Sequence, residues 1–165
     1  VMVLAKTDNA HMSISKQLKN REVTKVYQTL VWGQIQEDNA TITAPIGRHP
    51  LKRTEMLVTA KNSKEAITHF KVLERFDEFT LLEVTIETGR THQIRVHMKY
   101  IGHSVVGDPI YSRKKTPFEI KGQALHAYKL GFHHPNTDEY MVFTAPIPDD
   151  INSILNILRN RKRGE

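Results

Sequence analysis

The densest group of chemically active side chains lies in residues 87–112, which read ETGRTHQIRVHMKYIGHSVVGDPIYS. Guanidinium groups offer a rigid planar fork that binds phosphate or carboxylate through paired hydrogen bonds. A helix N-terminus beside them would add free backbone N–H groups. Recognition of an anion is therefore the chemistry that this segment could perform. The alternative is a solvated cationic helix face, since charge runs usually face water. The planar and cationic side chains of the segment are Arg90, His92, Gln93, Arg95, His97 and Lys99.

The neighbouring patterns predict a strand, a turn and a helix that would position these side chains. Residues 79–86 alternate apolar with polar or β-branched residues, which predicts a strand. Gly89 ends it, and Gly102 is a natural helix stop. Between the glycines, apolar spacing of i, i+3, i+4, i+7 indicates one buried helix face. That face comprises Ile94, His97, Met98 and Ile101.

Short strands separated by turns dominate the rest of the chain, which predicts an α+β domain with a mostly antiparallel, twisted central sheet flanked by three helices. Thr7 is expected to cap the first helix, which ends near Asn20. Pro148 is expected to start the last one. Their buried faces are predicted to comprise Ala10, Ile14 and Leu18, and Ile151, Ile154, Leu155 and Leu158, respectively. Further strands are expected at residues 1–5 (buried), 23–32, 41–46, 54–59, 66–73, 124–133 and 140–145. One domain over residues 1–165 accounts for all of them.

Composition favours a polyanionic partner. Lys and Arg total 24 against 18 Asp and Glu, a net charge of +6. Such a surface attracts nucleic acid because phosphate neutralisation releases counterions. The chain has no Cys, which excludes disulfides and thiolate metal sites and fits a reducing compartment, so we expect a cytoplasmic location. No apolar run approaches the roughly 20 residues of a membrane-spanning helix. His92 and His97 are not spaced i, i+4, and no metal site is predicted.

Four motifs, the first of them in two parts, resemble the RluA-type family of RNA pseudouridine synthases. Residues 89–97 (GRTHQIRVH) and 102–111 (GHSVVGDPIY) are similar to its signature. Residues 23–33 (VTKVYQTLVWG) resemble its K-x-Y-x-x-x-V-x-G segment, and residues 44–48 (APIGR) its P-I-G-R turn. Residues 123–127 (QALHA) resemble its A-L-H-A strand. The four occur in the family's order and extend over nearly the whole chain.

This resemblance implies a pseudouridine synthase-like fold with an antiparallel sheet, and conversion of a uridine in structured RNA to pseudouridine. It implies a flipped base, no metal and no organic cofactor, with ribosomal RNA the more common substrate in the family and transfer RNA the next. A monomer is expected.

The resemblance also implies roles for single residues. Tyr27 would stack on the target base, Leu125 would wall the base pocket, and Arg95 would pair with a nucleophilic aspartate. Each has a structural alternative: a core tyrosine, a core leucine or a surface cation. Contacts with RNA are expected for Arg48, Lys52, Arg90, His92 and Gln93, the first two from a cationic loop. Asp108 is predicted to cap a turn through backbone amides, and His126 to be a satisfied structural histidine.

One departure from the family pattern concerns the nucleophile. In the family this Asp lies in an H-R-L-D-x-x-T-S-G segment that leads into a V-x-A-K-T strand, and residues 1–7 (VMVLAKT) resemble that strand. The Asp is thus expected just upstream of Val1, so that the domain is N-terminally truncated and this chain alone inactive. A non-catalytic RNA-binding domain is the alternative function. Without the Asp, a buried Arg95 would be unpaired, so either the isolated chain is destabilised or another acid, an anion or a second chain supplies the partner.

Overall fold

Two antiparallel sheets form the framework of the chain. The computed structural model describes residues 1–163. Its strands are β1 Thr24–Trp32, β2 Asn39–Thr43, β3 Ile46–Arg48, β4 Met56–Val58, β5 Ser63–Lys64, β6 Ile67–Arg75, β7 Phe79–Ile86, β8 Leu125–His133 and β9 Tyr140–Thr144. Its helices are α1 Asp8–Lys19, α2 Gln93–Tyr100 and α3 Asp149–Arg163. The large sheet has the order β2-β6-β7-β1-β8-β9, and the small one β4-β3-β5. Every strand pair is antiparallel, so the predicted fold class is confirmed.

The main core lies along β1 and β7, the two central strands of the large sheet. Leu30, Val31, Leu82 and Val84 are fully buried there. The predicted apolar face of α3 joins the same core and comprises Ile151, Ile154, Leu155 and Leu158. The face predicted for α2 is also buried, apart from the half-buried Ile101. Helix periodicity therefore gave the correct inward faces of α2 and α3.

The prediction of a buried strand over residues 1–5 is wrong. These residues form no regular strand, and Met2 and Leu4 are each 78% exposed. Val3 packs against a small cluster that contains Ile14 and Val23, and the amino group of Val1 donates to the carbonyl of Ala127. A continuous apolar run needs a backbone ladder to become a strand, and these residues lack one.

Helix α1 has the predicted bounds but a different inward face. Thr7 caps it, with its hydroxyl accepting from the backbone N–H of Ala10 at 3.3 Å. Leu18, predicted to be buried, is 43% exposed, and Gln17 is buried in its place. The Gln17 amide donates to the carbonyl of His133 and accepts from its N–H, both at 2.8 Å. Because the Gln17 amide pairs with both backbone groups of His133 on β8, it determines which side of the last helical turn faces the sheet.

The segment predicted as one strand over residues 41–46 divides between the two sheets. Strand β2 ends at Thr43, and β3 begins at Ile46 in the small sheet. Pro45 lies between them and has no N–H to donate to a ladder. Gly47 in β3 packs closely, because a Cβ there would lie 2.8 Å from Cγ2 of Thr59. This division places the loop after β3 beside the outer face of α2.

Candidate active site

A concavity of about 410 Å³ lies where β7 passes into α2. It contains six of the eight side chains that the sequence predicted for the site. Arg48 and Lys52 are the two that it does not contain. The residues that line it are Tyr27, Ile86, Arg90, His92, Gln93, Ile94, Arg95 and Leu125.

Tyr27 and Leu125 come from adjacent strands of the large sheet. Tyr27 pairs with Val84 on one side and with Ala127 on the other, and Leu125 is two residues from Ala127 on β8. Diagonal neighbours of this kind share a sheet face. Tyr27 is half-buried, and burial raises the pKa of its hydroxyl above the ordinary value of 10.0. The ring is therefore a neutral, flat wall with a protonated hydroxyl at neutral pH.

Asp108 holds the guanidinium of Arg95. The sequence left open an acid, an anion or a second chain as the partner of Arg95, and in the structure the partner is an acid. Nε donates to Oδ2 at 2.7 Å and Nη2 donates to Oδ1 at 2.8 Å. Asp108 also caps its turn as predicted, because Oδ1 accepts from the N–H groups of Ile110 and Tyr111 at 2.9 and 3.0 Å. Burial alone would raise the pKa of this carboxyl, but Arg95 and the two amides hold it below its usual value. Nη1 of Arg95 donates to no residue in the described part of the chain.

Tyr111 supports the pocket from behind and was not predicted to have a role. Its hydroxyl accepts from the N–H of Met56 at 2.9 Å and lies 2.8 Å from Nδ1 of His92. Both groups are satisfied when the hydroxyl donates to Nδ1, which makes Nε2 the protonated nitrogen of a neutral imidazole. Burial and the charge of Arg95 lower the pKa of His92 and favour this neutral form. Its Nε2–H is then available as a donor at the pocket.

The backbone at His92 has an uncommon conformation. Its φ is 56° and its ψ 21°, the left-handed region, and it precedes the first residue of α2 without a side-chain cap. Left-handed geometry costs a non-glycine residue roughly 1–2 kcal/mol. Such strain persists where surrounding contacts determine the backbone, as at ligand sites. Here the contacts come from Tyr111 and from the buried amide of Gln93.

Gln93 is the centre of a buried hydrogen-bond network behind the turn. It is 3% exposed. Its Oε1 accepts from the Thr88 hydroxyl at 2.8 Å and from the Arg90 N–H at 3.0 Å. Its Nε2 donates to the Ile67 carbonyl at 3.0 Å and to the Thr68 hydroxyl at 2.9 Å. All these bonds are internal, so Gln93 fits a positioning role, and the RNA contact predicted for it stays a prediction.

His97 continues the network on the next turn of α2. Its Nε2 donates to the Ala44 carbonyl at 2.9 Å, and its Nδ1 lies 2.8 Å from the Thr68 hydroxyl. Because a carbonyl can only accept, Nε2 carries the proton and Nδ1 accepts from Thr68. The neutral ring therefore links α2 to β6 and to the residue before Pro45. Burial lowers its pKa below the ordinary value of 6.5.

The side chain of Arg90 is anchored to the protein and is still partly accessible at the pocket. Its Nε donates to the carbonyl of Glu65 at 2.8 Å, and its backbone is held by Gln93. Lys25 fixes the start of the turn before Arg90 by donating to the carbonyl of Glu87 at 3.2 Å. Half-buried at the pocket, Arg90 is thus a cation whose direction is determined by the protein.

Two predicted RNA-binding residues lie outside the pocket. Arg48 is exposed and donates to the Arg53 carbonyl at 3.3 Å. Lys52 pairs with Glu55 at 2.8 Å in a separate groove beside α2. His126 donates to the Ala145 carbonyl at 3.0 Å, which fits the structural role predicted for it. Within residues 1–163, no group of three or more His, Asp or Glu could hold a metal ion, and no helix there is long and apolar enough to cross a membrane.

The family model for RNA pseudouridylate synthase matches residues 1–100. The chain belongs to this family. The RluA-type resemblance of the sequence is thereby confirmed, and it extends through residues 102–111 and 123–127 beyond the matched part.

Bacterial relatives cover the same region. The chain is 53% identical over 159 residues to the Uncharacterized RNA pseudouridine synthase YlyB of Bacillus subtilis (strain 168), matching 96% of this chain and 52% of that protein. It is 42% identical over 167 residues to the Ribosomal large subunit pseudouridine synthase D of Nitrosomonas europaea, matching 97% of this chain and 48% of that protein. The chain spans about half the length of the curated relatives it matches.

A solved human structure is similar over nearly the whole chain. Human RNA Pseudouridylate Synthase Domain Containing 1 superposes with a TM-score of 0.74 at 30% identity, covering 94% of this chain and 73% of that one. The synthase family and its fold of helices on an antiparallel sheet are therefore supported by both sequence and structure.

Proposed function

We propose that this chain is the catalytic domain of an RNA pseudouridine synthase that isomerises a uridine in structured RNA. One observation carries the proposal: Tyr27, Leu125 and Arg95, far apart in the sequence, line one pocket in a member of this family. Ribosomal RNA is the proposed substrate, because relatives at 42 and 43% identity are named ribosomal large subunit synthases. We further propose a cytoplasmic monomer that needs neither a metal nor an organic cofactor.

The proposed reaction is an isomerisation and needs no external reactant. The bond between N1 of uracil and C1′ of ribose breaks, the uracil rotates within the pocket, and C5 forms a new bond to C1′. The C5 proton leaves, and N1 ends as an N–H group, so the atoms balance. A pocket that keeps the free base oriented is the main requirement. A base must leave its helical stack to enter such a pocket.

Each pocket residue has a proposed part in this reaction. The flat ring of Tyr27 stacks on the uracil, and Leu125 supports it from the neighbouring strand. Nη1 of Arg95 is free of Asp108 and holds an anion, which is the nucleophilic aspartate that the resemblance implies. Arg90 and the Nε2–H of His92 donate to the RNA. Arg48 and Lys52, outside the pocket, remain proposed contacts with RNA phosphates.

The nucleophile is the part of the mechanism that the pocket lining does not supply. None of the eight side chains around the concavity is a carboxylate, and Asp108 already accepts four hydrogen bonds. We therefore propose that activity requires the H-R-L-D-x-x-T-S-G segment of the family, and that residues 1–165 alone bind RNA without modifying it. The same observation favours the second candidate, a non-catalytic RNA-binding domain.

The test compares two proteins on one labelled structured RNA, with pseudouridine scored by nucleoside chromatography. One protein is this chain, and the other carries the aspartate segment ahead of Val1. Product from the extended protein only is the expected result. Tyr27→Ala in that protein should abolish product, whereas Tyr128→Ala, a matched control outside the pocket lining, should retain it. RNA binding without product in either protein would support the binding-domain function instead.

A further inference from the structure

A second groove of about 810 Å³ lies on the outer face of α2, away from the pocket. One wall is formed by the loop after β3 and by β4, and the other by the exposed side of α2. The residues that line it are His49, Lys52, Glu55, Met56, Leu57, Val58, Val96, Lys99, Tyr100 and Arg113. None of them contributes to the catalytic pocket.

The groove carries more positive than negative charge. Its basic residues are His49, Lys52, Lys99 and Arg113, against a single acid, Glu55. A hydrogen bond from Lys52, with further attraction from Lys99 and His49, holds the pKa of Glu55 below its ordinary value. One carboxylate can neutralise only one of the three cations Lys52, Lys99 and Arg113. Lys99 and Arg113 form no ion pair within residues 1–163.

An exposed aromatic side chain accompanies these cations. Tyr100, the last residue of α2, is 61% exposed. Aromatic rings beside backbone-binding cations are the usual arrangement for single-stranded nucleic acid, because every base has a face that can stack. An acidic peptide would satisfy the cations but would leave the exposed ring without a matching flat partner.

Tyr111 joins the groove to the pocket. Its hydroxyl accepts from the backbone of Met56 in the groove wall and lies 2.8 Å from His92 at the pocket. Its ring centroid is 5.4 Å from Nζ of Lys99 and 5.0 Å from Cζ of Arg95. Cations of both sites thus approach one ring. An RNA strand that leaves the pocket beside Arg95 meets Lys99 next.

We propose that this groove binds the backbone of the RNA strand flanking the target uridine, with Lys52 and Lys99 on phosphates and Tyr100 stacked on a flanking base. The inference rests on the proposed function, since it takes RNA as the ligand of the pocket. It adds Lys99, Tyr100 and Arg113 to the RNA-binding surface.

The experiment measures the affinity of the 165-residue chain for a structured RNA at several KCl concentrations. The double variant Lys52→Gln/Lys99→Gln should bind more weakly, and the slope of log K against log[KCl] should fall by about 1 per lysine. Lys16→Gln/Lys19→Gln removes the same charge from α1 and should leave slope and affinity unchanged. Tyr100→Ala should weaken binding roughly 5- to 150-fold, and Tyr100→Phe should restore it.

The outcomes separate this inference from the proposed function. If the unmodified chain binds no RNA, the proposed function fails along with the groove. If it binds RNA and both lysine pairs behave alike, the groove is not the RNA path, whereas the proposed function stands. The groove variant could lose binding to heparin and to RNA equally, while Tyr100→Ala has no effect. That result would indicate a general polyanion site and overturn the proposal.

Discussion

The guanidinium of Arg95 and the carboxylate of Asp108 form a buried bidentate ion pair, with both N···O distances below 3 Å. Asp108 is fixed in turn by two backbone amides, so neither partner can rotate without losing several bonds. Arg95 therefore presents Nη1 at the pocket in a determined direction. Pre-organisation of this kind is how a protein places charge without reorganising at the moment of reaction.

Replacing Asp108 should destabilise the fold strongly. Asp108→Asn removes the charge but leaves Arg95 buried, and breaking a buried pair from one side costs about 3–5 kcal/mol. Urea unfolding at neutral pH measures the loss. Asp138→Asn, at a carboxylate with a 96% exposed side chain, is the matched control and should change the free energy of unfolding little. Equal effects of the two substitutions would contradict a buried pair.

The stability of the chain should fall as pH drops below about 6.5 because of His97. Burial lowers the pKa of His97 in the folded state, so below the ordinary value of 6.5 the unfolded chain binds more protons. The stabilisation is therefore present above pH 6.5 and lost as pH falls towards the folded pKa. A single group contributes a slope of up to about 1.4 kcal/mol per pH unit.

Variants at two histidines separate the contribution of His97 to the pH dependence of stability from that of other groups. His97→Gln keeps amide donors and acceptors but does not titrate, so the fall in unfolding free energy between roughly pH 6.5 and 5 should become shallower. His11→Gln, at an exposed position on α1, should leave the slope as it is. Parallel pH profiles for all three proteins would show that His97 is not the titrating group.

The amide of Gln93 should tolerate neither a carboxylate nor an apolar replacement. In Gln93→Leu, the N–H of Arg90 and the hydroxyl of Thr88 lose their acceptor, at about 1–3 kcal/mol for each buried group left unsatisfied. Gln93→Glu faces the Ile67 carbonyl with an acceptor where a donor is needed. Gln36→Glu, on an exposed loop, is the control. Thermal unfolding reports stability, and RNA affinity reports the position of Arg90.

Two glycines on either side of α2 should respond differently to alanine. At Gly107 the φ is +73°, and a Cβ would lie 2.2 Å from the carbonyl oxygen of Gly122. Gly107→Ala should therefore cost at least about 2 kcal/mol, from left-handed strain and overpacking together. At Gly89 a Cβ would meet nothing within 4 Å, so Gly89→Ala should be nearly neutral. Chemical denaturation of both variants checks the difference.

Periodicity and turn residues were sufficient to predict most of the fold, whereas the residues of the pocket were implied by the family resemblance. The strands that contain Tyr27 and Leu125 and the buried face of α2 follow from local patterns that the tertiary structure preserves. Local patterns could not reveal that residues 1–5 lack a ladder. They also could not show that Gln17, a polar residue, fits the His133 backbone better than Leu18 fits the sheet.

The support of the site was less predictable than its lining. The sequence places Asp108 in a turn and Tyr111 shortly after it, but the spacing within G-D-P-I-Y does not indicate that they face Arg95 and His92. Likewise, Thr68 precedes Gln93 by 25 residues, and only the pairing of β6 with β7 brings it behind the turn. Contacts of this type depend on long-range pairing, for which no periodicity is a signal.

The pairing of Tyr27 with Ala127 has a kinetic consequence. The two walls of the pocket come from strands about 100 residues apart, so the cavity has a high contact order and closes only after the entropic cost of a long loop is met. No single hairpin of the chain contains both walls. The pocket and the central sheet should therefore form in one cooperative event, and native-state hydrogen exchange should give the amides of Tyr27 and Ala127 the opening free energy of global unfolding.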